Sequence, residues 1–414
     1  RSTPKPSSAA SDVYKRQLFV STDYLNVAHK ILADGWEGQV LLIGTGRDDI
    51  EGTEGLIRQS SATDPIHTTI DDEAILYFTG GTTGEGKGVP LTHGNVVSNG
   101  FQVATALGVG PSDRYLHAAP MFHSADLLGT AVTLAGGSHS YLAKTSPKGV
   151  VDALMKRKAT MTMVPPVLLG GIARSGLLEG HALDHLRIFI CGGAPVPFHL
   201  LEMGAKQMPS TALIQGYGLT ETNALGTLAS GDEYISNPTS AGRVVPPLTE
   251  IKIIDNDWNC LTEGEIGEIA IKSQSNMIGY WRNDEATNEC MNDDGWFRSG
   301  DMGKFEGPFL FIVDRIKDMV IRGGENIACP EVENAIYQHS EVLEACVFGI
   351  PDERLGEILC TAIFLKKDSS LNKETLIKFL SEKLAAFKIP AIIEFSSTNL
   401  PLVASGKFDK PALR

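Results

Sequence analysis

The sequence lacks the features by which several large classes of protein are recognised. Positive charge is in deficit, because 36 Lys and Arg face 50 Asp and Glu among 414 residues, and the net charge is −14. General nucleic-acid binders and anionic-membrane binders carry basic surfaces, so the deficit argues against both classes. No apolar run is long enough to cross a membrane, and no transmembrane segment is expected.

Cysteine is scarce as well, with six in the chain. No two cysteines lie at metal-ligand spacing, and nothing pairs the six into a disulfide framework. We therefore expect a reducing, cytoplasmic location. The remaining composition, 42% hydrophobic and 21% charged, is ordinary for a globular protein and gives no indication of oligomeric state.

The first 17 residues differ from the rest of the chain. They are rich in Ser, Ala, Pro and basic residues, and they lack the apolar segment of a signal peptide. Residues 1–17 are interpreted as a non-native or disordered tail and are left out of the fold predictions.

From residue 18 onward, short apolar runs alternate with helical patterns and glycine turns. This alternation predicts an α/β fold with largely buried sheets. A helix is expected at residues 95–107, with Val97, Phe101 and Ala104 on one face. The expected strands cover residues 74–78, 186–190 and 212–215.

The pattern changes near residue 314, after which a compact set of elements predicts a separate domain of mixed α/β type. Its second helix is expected to place Leu376, Leu380, Leu384 and Phe387 on one side. The expected helices cover residues 330–338 and 373–387, and the expected strands 342–348, 358–365 and 391–395.

A glycine-rich loop follows the strand expected at 74–78. Glycines let backbone N–H groups turn inward around an anion, while threonine hydroxyls add donors and the lysine adds positive charge. That combination suits a polyphosphate. The loop consists of Thr79, Gly80, Gly81, Thr82, Thr83, Gly84, Glu85, Gly86, Lys87 and Gly88.

The glycine-rich loop has two alternative interpretations, a P-loop and a loop without a ligand. Gly81 to Lys87 fits most of a P-loop, but Gly88 stands where the Mg²⁺-binding Ser or Thr belongs. Pro90 also pushes Val89 toward extended geometry, which disfavours a helix starting at the lysine. A mobile glycine loop without a ligand is the other alternative.

The loop resembles the signature loop of adenylate-forming (AMP-binding) enzymes, which include acyl-CoA synthetases, luciferases and peptide-synthetase adenylation domains. Two residues depart from that pattern: Gly80 replaces the usual serine and Gly86 the usual proline. The resemblance implies ATP contacts by Thr79, Gly80, Gly81, Thr82, Thr83, Gly84 and Lys87.

Further segments resemble the same family and occur in the expected order. The resemblance implies that Tyr217 stacks on adenine beside Gly218, that Thr220 contacts the α-phosphate, and that Glu221 holds Mg²⁺. An aromatic face suits a base, and a hard oxygen ligand suits Mg²⁺. The implied wall of the adenine pocket is Gly193, Ala194 and Pro195.

Three more residues complete the implied nucleotide site. Asp301 and Arg315 match the family's ribose contacts, and Lys407 matches the lysine that reaches the α-phosphate and carboxylate during adenylation. Each of the three, taken alone, would be interpreted as an ordinary surface residue. Their value as evidence lies in their joint occurrence and order.

The reaction implied by the resemblance has two halves. A carboxylic acid and ATP give an acyl-adenylate and pyrophosphate, and CoA then takes the acyl group and releases AMP. The C-terminal domain swings between the halves, with Lys317 at the hinge position. The implied thiol entry route is lined by Gly323, Gly324, Glu325 and Asn326.

The acid itself is indicated by Phe122 and His123, an aromatic–His pair typical of acyl- and aryl-CoA synthetases. Amino-acid-activating relatives usually place an aspartate in this pocket, so an acid without an α-amino group is favoured. Apolar wall residues favour an alkyl or aryl tail. A medium- or long-chain fatty acid is the first expectation and an aryl acid the second. The wall positions are Met163, Val164 and Ile214.

The resemblance implies a large N-terminal domain of stacked α/β layers over residues 18–314, a hinge at 315–317 and a small mobile α+β domain at 318–414. Family members usually have a longer segment before the phosphate loop, so an N-terminally truncated fragment is expected. Alternatives are an adenylation domain that loads a carrier protein and an inactive nucleotide-binding scaffold. The joint retention of Lys407, Glu221 and Asp301 argues against the scaffold.

Overall fold

The computed structural model describes residues 17–46, 50–62, 64, 67–79, 86–142, 144–178, 183–194, 196–237, 239–403 and 406–414. These residues form two compact units. The first unit contains the described residues up to Thr69 and those of 78–88, and the second contains residues 70–77 and the described residues from Val89 onward. Of the tail predicted at 1–17, residues 1–16 lie outside the described residues.

The first unit contains two parallel strands joined by a helix. Leu18 pairs with Val40 in the register of the two strands, and Ala28 and Ile31 form the buried side of the helix between them. Gln17, the last residue of the predicted tail, is already part of the first strand. The elements are β1 Gln17–Val20, α1 Leu25–Ala33, β2 Gln39–Leu42 and α2 Thr53–Gln59.

The second unit is built on an eleven-stranded sheet with the order β12-β13-β14-β15-β11-β10-β9-β8-β7-β5-β6. The strands from β9 to β6 in this order are parallel, and the remainder are antiparallel. The strands are β5 Arg114–His117, β6 Ser138–Tyr141, β7 Met161–Val164, β8 Ile188–Gly192, β9 Ala212–Tyr217, β10 Thr227–Ser230, β11 Ser240–Val244, β12 Thr249–Ile254, β13 Gly267–Ser273, β14 Phe297–Glu306 and β15 Phe309–Arg315.

A separate pair of strands, β3 Glu73–Phe78 and β4 Gly88–Thr92, flanks the glycine loop in the sequence. The three strands predicted in this half of the chain are confirmed. The one expected at 186–190 is displaced by two residues, to β8. β3 is only half-buried, whereas a buried strand was predicted there.

Helices cover both faces of the parallel part of the sheet. On β7, Met163 packs with the core beneath α3 and α4, whereas Val164 packs with the core beneath α5, α6 and α7. The prediction that Val164 lines the same pocket as Met163 and Ile214 was therefore wrong, because successive strand residues point to opposite faces. The helices are α3 His93–Leu107, α4 Thr130–Leu134, α5 Pro147–Arg157, α6 Pro166–Arg174, α7 Phe198–Gln207, α8 Gly231–Ser236 and α9 Asp284–Cys290.

Helix α3 forms where it was predicted, with a different buried face. Thr92 and Asn95 form a capping box at its start. Val97 and Phe101 are 49% and 55% exposed, whereas the buried side consists of Asn99, Gly100, Gln102 and Val103. The amide Gln102 can be buried because it bonds with Ser275 and Thr249. An apolar pattern does not reveal such hydrogen bonds, which allow a polar residue on a buried face.

A five-stranded sheet begins at Val320 and is covered by two helices. The predicted helix at 373–387 ends at Ser381, and Ala385 beyond its end adopts an extended conformation. Leu384 and Phe387 still pack on the same core, so the predicted apolar side is correct although the helix is shorter. The elements are β16 Val320–Arg322, β17 Glu325–Ile327, α10 Cys329–Tyr337, β18 Val342–Asp352, β19 Gly356–Leu365, α11 Lys373–Ser381, β20 Ile392–Ser396 and α12 Lys410–Leu413.

The predicted α/β class is thus confirmed. Over the described part of the chain, no helix combines the length and the apolar character needed to span a membrane.

Candidate active site

A buried carboxylate on the large sheet holds two neighbouring side chains. Asp301 on β14 pairs in register with Arg315 on β15. Its Oδ1 accepts from Arg315 Nε at 3.0 Å, and its Oδ2 accepts from the Tyr217 hydroxyl at 2.9 Å. We call these three residues the Asp301 clamp. Each carboxylate oxygen offers two lone pairs, so both can accept a further hydrogen bond.

The protonation states of the clamp follow from its surroundings. Burial and the negative charge of Asp301 raise the pKa of Tyr217 well above its usual range, so the phenol stays protonated and donates. Burial alone would disfavour the charge of Arg315, but Asp301 and Asp318 raise its pKa. The clamp is therefore a fixed carboxylate between a neutral donor and a permanent cation.

Glu221 follows the clamp residue Tyr217 closely in the sequence and lies on the short 3₁₀ helix Thr220–Thr222, which comes after β9. The Tyr280 hydroxyl donates to Glu221 Oε1 at 2.8 Å. Burial and Glu221 raise the pKa of Tyr280, which keeps this donor protonated. Thr220 Oγ1 accepts from Ser124 Oγ at 3.2 Å, so a second segment of the chain is tied to the same short helix.

His123 precedes another 3₁₀ helix, Ser124–Gly129, and its Nδ1 accepts from the backbone N–H of Ala125 at 3.1 Å. Gly193, which follows β8, has φ of +82°, and a Cβ built there would lie 4.0 Å from His123 Cε1. The glycine turn and the His123 ring are therefore close neighbours. Ala194 is half-buried beside Gly193, whereas Pro195 lies outside the described residues.

Lys407 comes from the C-terminal end of the chain. The turn that presents it has Gly406 at φ +84°, and a Cβ built there would lie 3.6 Å from Pro165, which precedes α6. Burial lowers the pKa of Lys407, and the charge of Arg315 lowers it further, while Asp301 opposes the change. Lys407 in turn contributes to a lowered pKa of His123, after burial. The lysine thus shares one electrostatic environment with the clamp and His123, although its side chain retains accessible surface.

Comparison with known proteins identifies the family to which this chain belongs. Residues 18–281 match the family model of the AMP-binding enzymes, and residues 331–407 match that of the AMP-binding enzyme C-terminal domain. The chain belongs to the AMP-binding enzyme family. The predicted fold class and the predicted status as an enzyme of the ligase type are confirmed with it.

Curated relatives of this AMP-binding enzyme carry names of CoA ligases and synthases. It is 35% identical to feruloyl-CoA synthase from Amycolatopsis sp over 348 residues, which are 83% of this chain and 70% of the relative. It is 32% identical over 361 residues to long-chain-fatty-acid–CoA ligase FadD13 from Mycobacterium tuberculosis, covering 86% and 70%. The ATP-bound structure of MatB from Rhodopseudomonas palustris matches with a TM-score of 0.88 at 30% identity, covering 98% of this chain and 80% of MatB.

The predicted hinge of this AMP-binding enzyme lies in a turn after β15. The backbone N–H groups of Asp318 and Met319 both donate to the carbonyl of Arg315 at 3.0 Å. Lys317 is exposed in this turn, and burial of its amine and the charge of Arg315 lower its pKa. The chain therefore passes directly from a clamp residue into the turn.

The residues assigned to the thiol route form an exposed β-hairpin. Gly323 and Gly324 have φ of +60° and +89°, so they make a two-residue turn that connects Glu325 and Asn326 on β17 back to β16. The hydrogen bonds that anchor this hairpin run to Leu355, to Glu357 of β19 and, from Arg322, to the Phe387 carbonyl. Among the described hydrogen bonds, none connects the hairpin to the Asp301 clamp.

The phosphate-loop prediction is only partly within the described residues. Gly80, Gly81, Thr82, Thr83 and Gly84 lie outside them. At the loop's ends, the Thr79 N–H donates to the Lys87 carbonyl at 2.9 Å, and a Cβ on Gly86 would lie only 2.4 Å from the Thr79 carbonyl oxygen. β4 starts at Gly88, so no helix begins at the lysine, as the argument against a P-loop predicted.

Sequence reasoning missed several polar residues beside these predicted ones. Tyr280 and Ser124, which bond to Glu221 and Thr220, belong to none of the motifs that were recognised. A second group contains His117, Asp126 and His139, which are connected by hydrogen bonds. No spacing rule identifies that group, because the pairing of β5 with β6 brings His117 and His139 together.

Proposed function

We propose that this chain uses ATP to convert a carboxylic acid into its acyl-adenylate and then transfers the acyl group to CoA, giving acyl-CoA, AMP and pyrophosphate. The Asp301 clamp is the observation that carries the proposal. A fixed carboxylate with two free lone pairs accepts hydrogen bonds from adjacent hydroxyls, which is the chemistry of a ribose. Membership of the AMP-binding enzyme family supports the same assignment.

We assign the adenine base to the part of the site formed by Tyr217 and Gly193. The Tyr217 hydroxyl is engaged with Asp301, so the ring is held in place for stacking with its face toward a base. Gly218 permits tight closure of this segment, since a Cβ there would lie 2.4 Å from the Ala224 backbone. The described loop residues Thr79 and Lys87, together with the loop they bound, are assigned to the phosphates.

Glu221 is proposed as the protein ligand of Mg²⁺. Mg²⁺ is commonly held by one or two carboxylates together with phosphate oxygens and water. Glu221 fits this use because Tyr280 fixes Oε1 and leaves Oε2 free to coordinate. Within the described ranges no three His, Cys, Asp or Glu side chains converge as a metal site, and the proposed ligand is a single carboxylate. Bound Mg²⁺ would neutralise phosphate charge.

Lys407, Thr220 and His123 are assigned to the reacting end. A lysine ammonium beside the α-phosphate stabilises the negative charge that develops as the acid oxygen attacks phosphorus. The Thr220 hydroxyl is held by Ser124 and can donate to an α-phosphate oxygen. His123 has a lowered pKa from burial and from Lys407, so it stays neutral and adds no charge beside the carboxylate.

The acid is proposed to be a medium- or long-chain fatty acid. Phe122 next to His123 is 64% exposed, and Met163 and Ile214 supply apolar surface in the core beneath α3 and α4. This surface suits an apolar tail without an α-amino group. An aryl acid is the second candidate, and the 35% identity to a feruloyl-CoA synthase favours it.

For the second half-reaction, a rotation of residues 318–414 about a hinge at 315–317 is proposed. The N-terminal domain would then comprise 18–314. Rotation would exchange Lys407 for the hairpin of Gly323, Gly324, Glu325 and Asn326, whose exposed glycines leave room for a pantetheine arm.

Hydroxylamine trapping tests the proposal. The protein is incubated with Mg·ATP, hydroxylamine and a panel of fatty and aryl acids, with acid-free reactions as controls. We expect hydroxamates from fatty acids and AMP release that rises with CoA. Hydroxamate from aryl acids alone would support the second candidate, and acyl transfer only to a carrier protein would replace CoA as acceptor. Nucleotide binding without any hydroxamate would refute catalysis.

Tyr280→Phe tests the role of Glu221. Removing the hydroxyl leaves Glu221 Oε1 without this donor, and we expect the Mg²⁺ concentration for half-maximal adenylation to rise about tenfold, as for partners of metal-bound carboxylates generally. Tyr234→Phe is the matched control, because its buried hydroxyl donates to the Val196 carbonyl instead. Equal Mg²⁺ dependence in the two variants would argue against Glu221 as the ligand.

A further inference from the structure

A chain of hydrogen bonds runs from the surface to a buried carboxylate at the edge of the large sheet. His117 Nδ1 lies 2.7 Å from Asp126 Oδ2, and His117 Nε2 lies 2.9 Å from His139 Nδ1. His139 Nε2 lies 2.9 Å from Thr133 Oγ1. We call these four residues the His117 chain.

Packing holds the middle of this chain rigidly. The side chains of His117 and Asp126 are 9% and 6% exposed. Tyr141 stacks on the His117 ring at 4.5 Å with an angle of 7° between the planes, and Tyr115 meets the same ring edge-on at 4.8 Å. The His117 imidazole therefore has a single orientation.

The bonds fix the position of every proton when both rings are neutral. A carboxylate can only accept, so His117 Nδ1–H donates to Asp126 and His117 Nε2 must accept. His139 Nδ1–H then donates to His117, and the Thr133 hydroxyl donates to His139 Nε2. Burial and the neighbouring His117 lower the pKa of His139, which favours this neutral arrangement. Within the His117 chain, no hydrogen-bond donor faces another donor.

The His117–Asp126 bond connects the sheet to a segment outside it, and the Tyr115 hydroxyl on β5 supports this connection by donating to Asp126 Oδ1 at 3.5 Å. β5 and β6 are paired through their backbones, with Tyr115 opposite His139 and His117 opposite Tyr141. Asp126, by contrast, lies on the 3₁₀ helix Ser124–Gly129, outside the sheet. Buried polar networks are costly unless fully bonded, and where they are complete they fix a unique geometry. The His117 chain therefore anchors that helix to the sheet edge.

This 3₁₀ helix carries reacting-end residues at its start. The Asp126 N–H donates to the His123 carbonyl at 3.1 Å, and Ser124 donates to Thr220. His117 also lies directly opposite Met163 on β7, a residue of the apolar surface assigned to the acid. A displacement of Asp126 would be passed to His123 and Thr220 through one short, continuous segment.

We propose that His117 and Asp126 are positioning residues that set the placement of His123 and Ser124 for adenylation of the acid. They act through the 3₁₀ helix and do not touch the nucleotide clamp. The proposal rests on the proposed function. It predicts that disruption of the His117–Asp126 bond slows adenylate formation while nucleotide binding is retained.

Two substitutions at one position separate the bonds of His117. His117→Asn places an amide near the former Nδ1 and keeps a donor to Asp126, whereas His117→Gln reaches toward His139 and loses Asp126. Both variants lose the stacked ring and one hydrogen bond. We expect His117→Gln to lower kcat for pyrophosphate exchange about tenfold, as for loss of a hydrogen bond to a charged group. His117→Asn is expected to keep a rate several-fold above that of His117→Gln.

The readouts distinguish positioning from general loss of structure. The dissociation constant for AMP is expected to agree between the two variants, whereas the melting temperature of His117→Gln is expected to be the lower one, because the buried Asp126 loses a donor only in that variant. Equal kcat in the two variants, or an AMP affinity that falls in parallel with kcat, would overturn the proposal. If His117→Gln does not fold, Asp126→Asn and Asp126→Ala replace the pair, since the Asn oxygen still accepts from His117. Absence of adenylation in the unmodified enzyme would refute the proposed function instead.

Discussion

Lys407→Ala is expected to reduce acyl-adenylate formation by about a hundredfold to a thousandfold, the usual cost of removing a group that stabilises transition-state charge. Thioester formation from supplied acyl-adenylate is expected to change only a few-fold, since the rotated C-terminal domain would present its hairpin in place of Lys407. Pyrophosphate exchange measures the first half-reaction, and CoA-dependent AMP release from synthetic acyl-adenylate measures the second. Lys206→Ala, an exposed lysine paired with Glu202, is the control.

The pH dependence of the same step provides a second check. Burial and Arg315 hold the pKa of Lys407 below its ordinary value, and only the protonated amine stabilises the transition state. Adenylation should therefore be retained at lower pH and lost as the pH rises through this lowered pKa. Lys407→Arg keeps its charge at higher pH, so its alkaline limb should move upward. Equal loss of both half-reactions in Lys407→Ala would contradict the role of the lysine.

Asp301→Ala is expected to raise the KM for ATP by about a hundredfold, because two hydrogen bonds to a carboxylate contribute about 1.5 kcal/mol each. Folding stability should also fall by about 1–3 kcal/mol, since the Tyr217 hydroxyl and the Arg315 guanidinium lose their shared acceptor. Tyr217→Phe, which removes only one bond within the clamp, should have a smaller effect on both quantities.

A nucleotide analogue ties that effect to the ribose. With 2′,3′-dideoxy-ATP the unmodified enzyme should lose about as much affinity as Asp301→Ala loses with ATP, and the variant should lose little more. Such non-additivity is expected when substitution and analogue remove the same contact. Additive losses would mean that Asp301 contacts another part of the nucleotide.

Elements with a simple apolar pattern were predictable from the sequence. The strands at 212–215 and 342–348 and the helix at 330–338 all form, because each buries apolar side chains. Prediction failed where another force decided the outcome. The buried side of α3 includes Gln102, whose hydrogen bonds an apolar pattern does not reveal, and the helix predicted at 373–387 ends early, at Ser381.

The candidate site likewise contains residues that the sequence predicts and residues that it does not. Tyr217, Glu221, Asp301 and Lys407 are predicted from motifs, since each lies in a short segment of local sequence. His117, Asp126 and His139 were missed because their bonds depend on sheet pairing between segments that no short motif spans. Tertiary polar networks of this kind become visible only with the fold.

The register that places Asp301 opposite Arg315 has an evolutionary consequence. Backbone pairing of two adjacent strands fixes the position of the Asp301 clamp, so the end of the site proposed to bind the nucleotide should tolerate variation elsewhere in the chain. The end proposed to bind the acid depends instead on a short 3₁₀ helix and turns, which lie outside that strand pairing. If the proposed assignments hold, such modularity would let one framework accept different acids, in keeping with relatives named for feruloyl-CoA and for long-chain fatty acids.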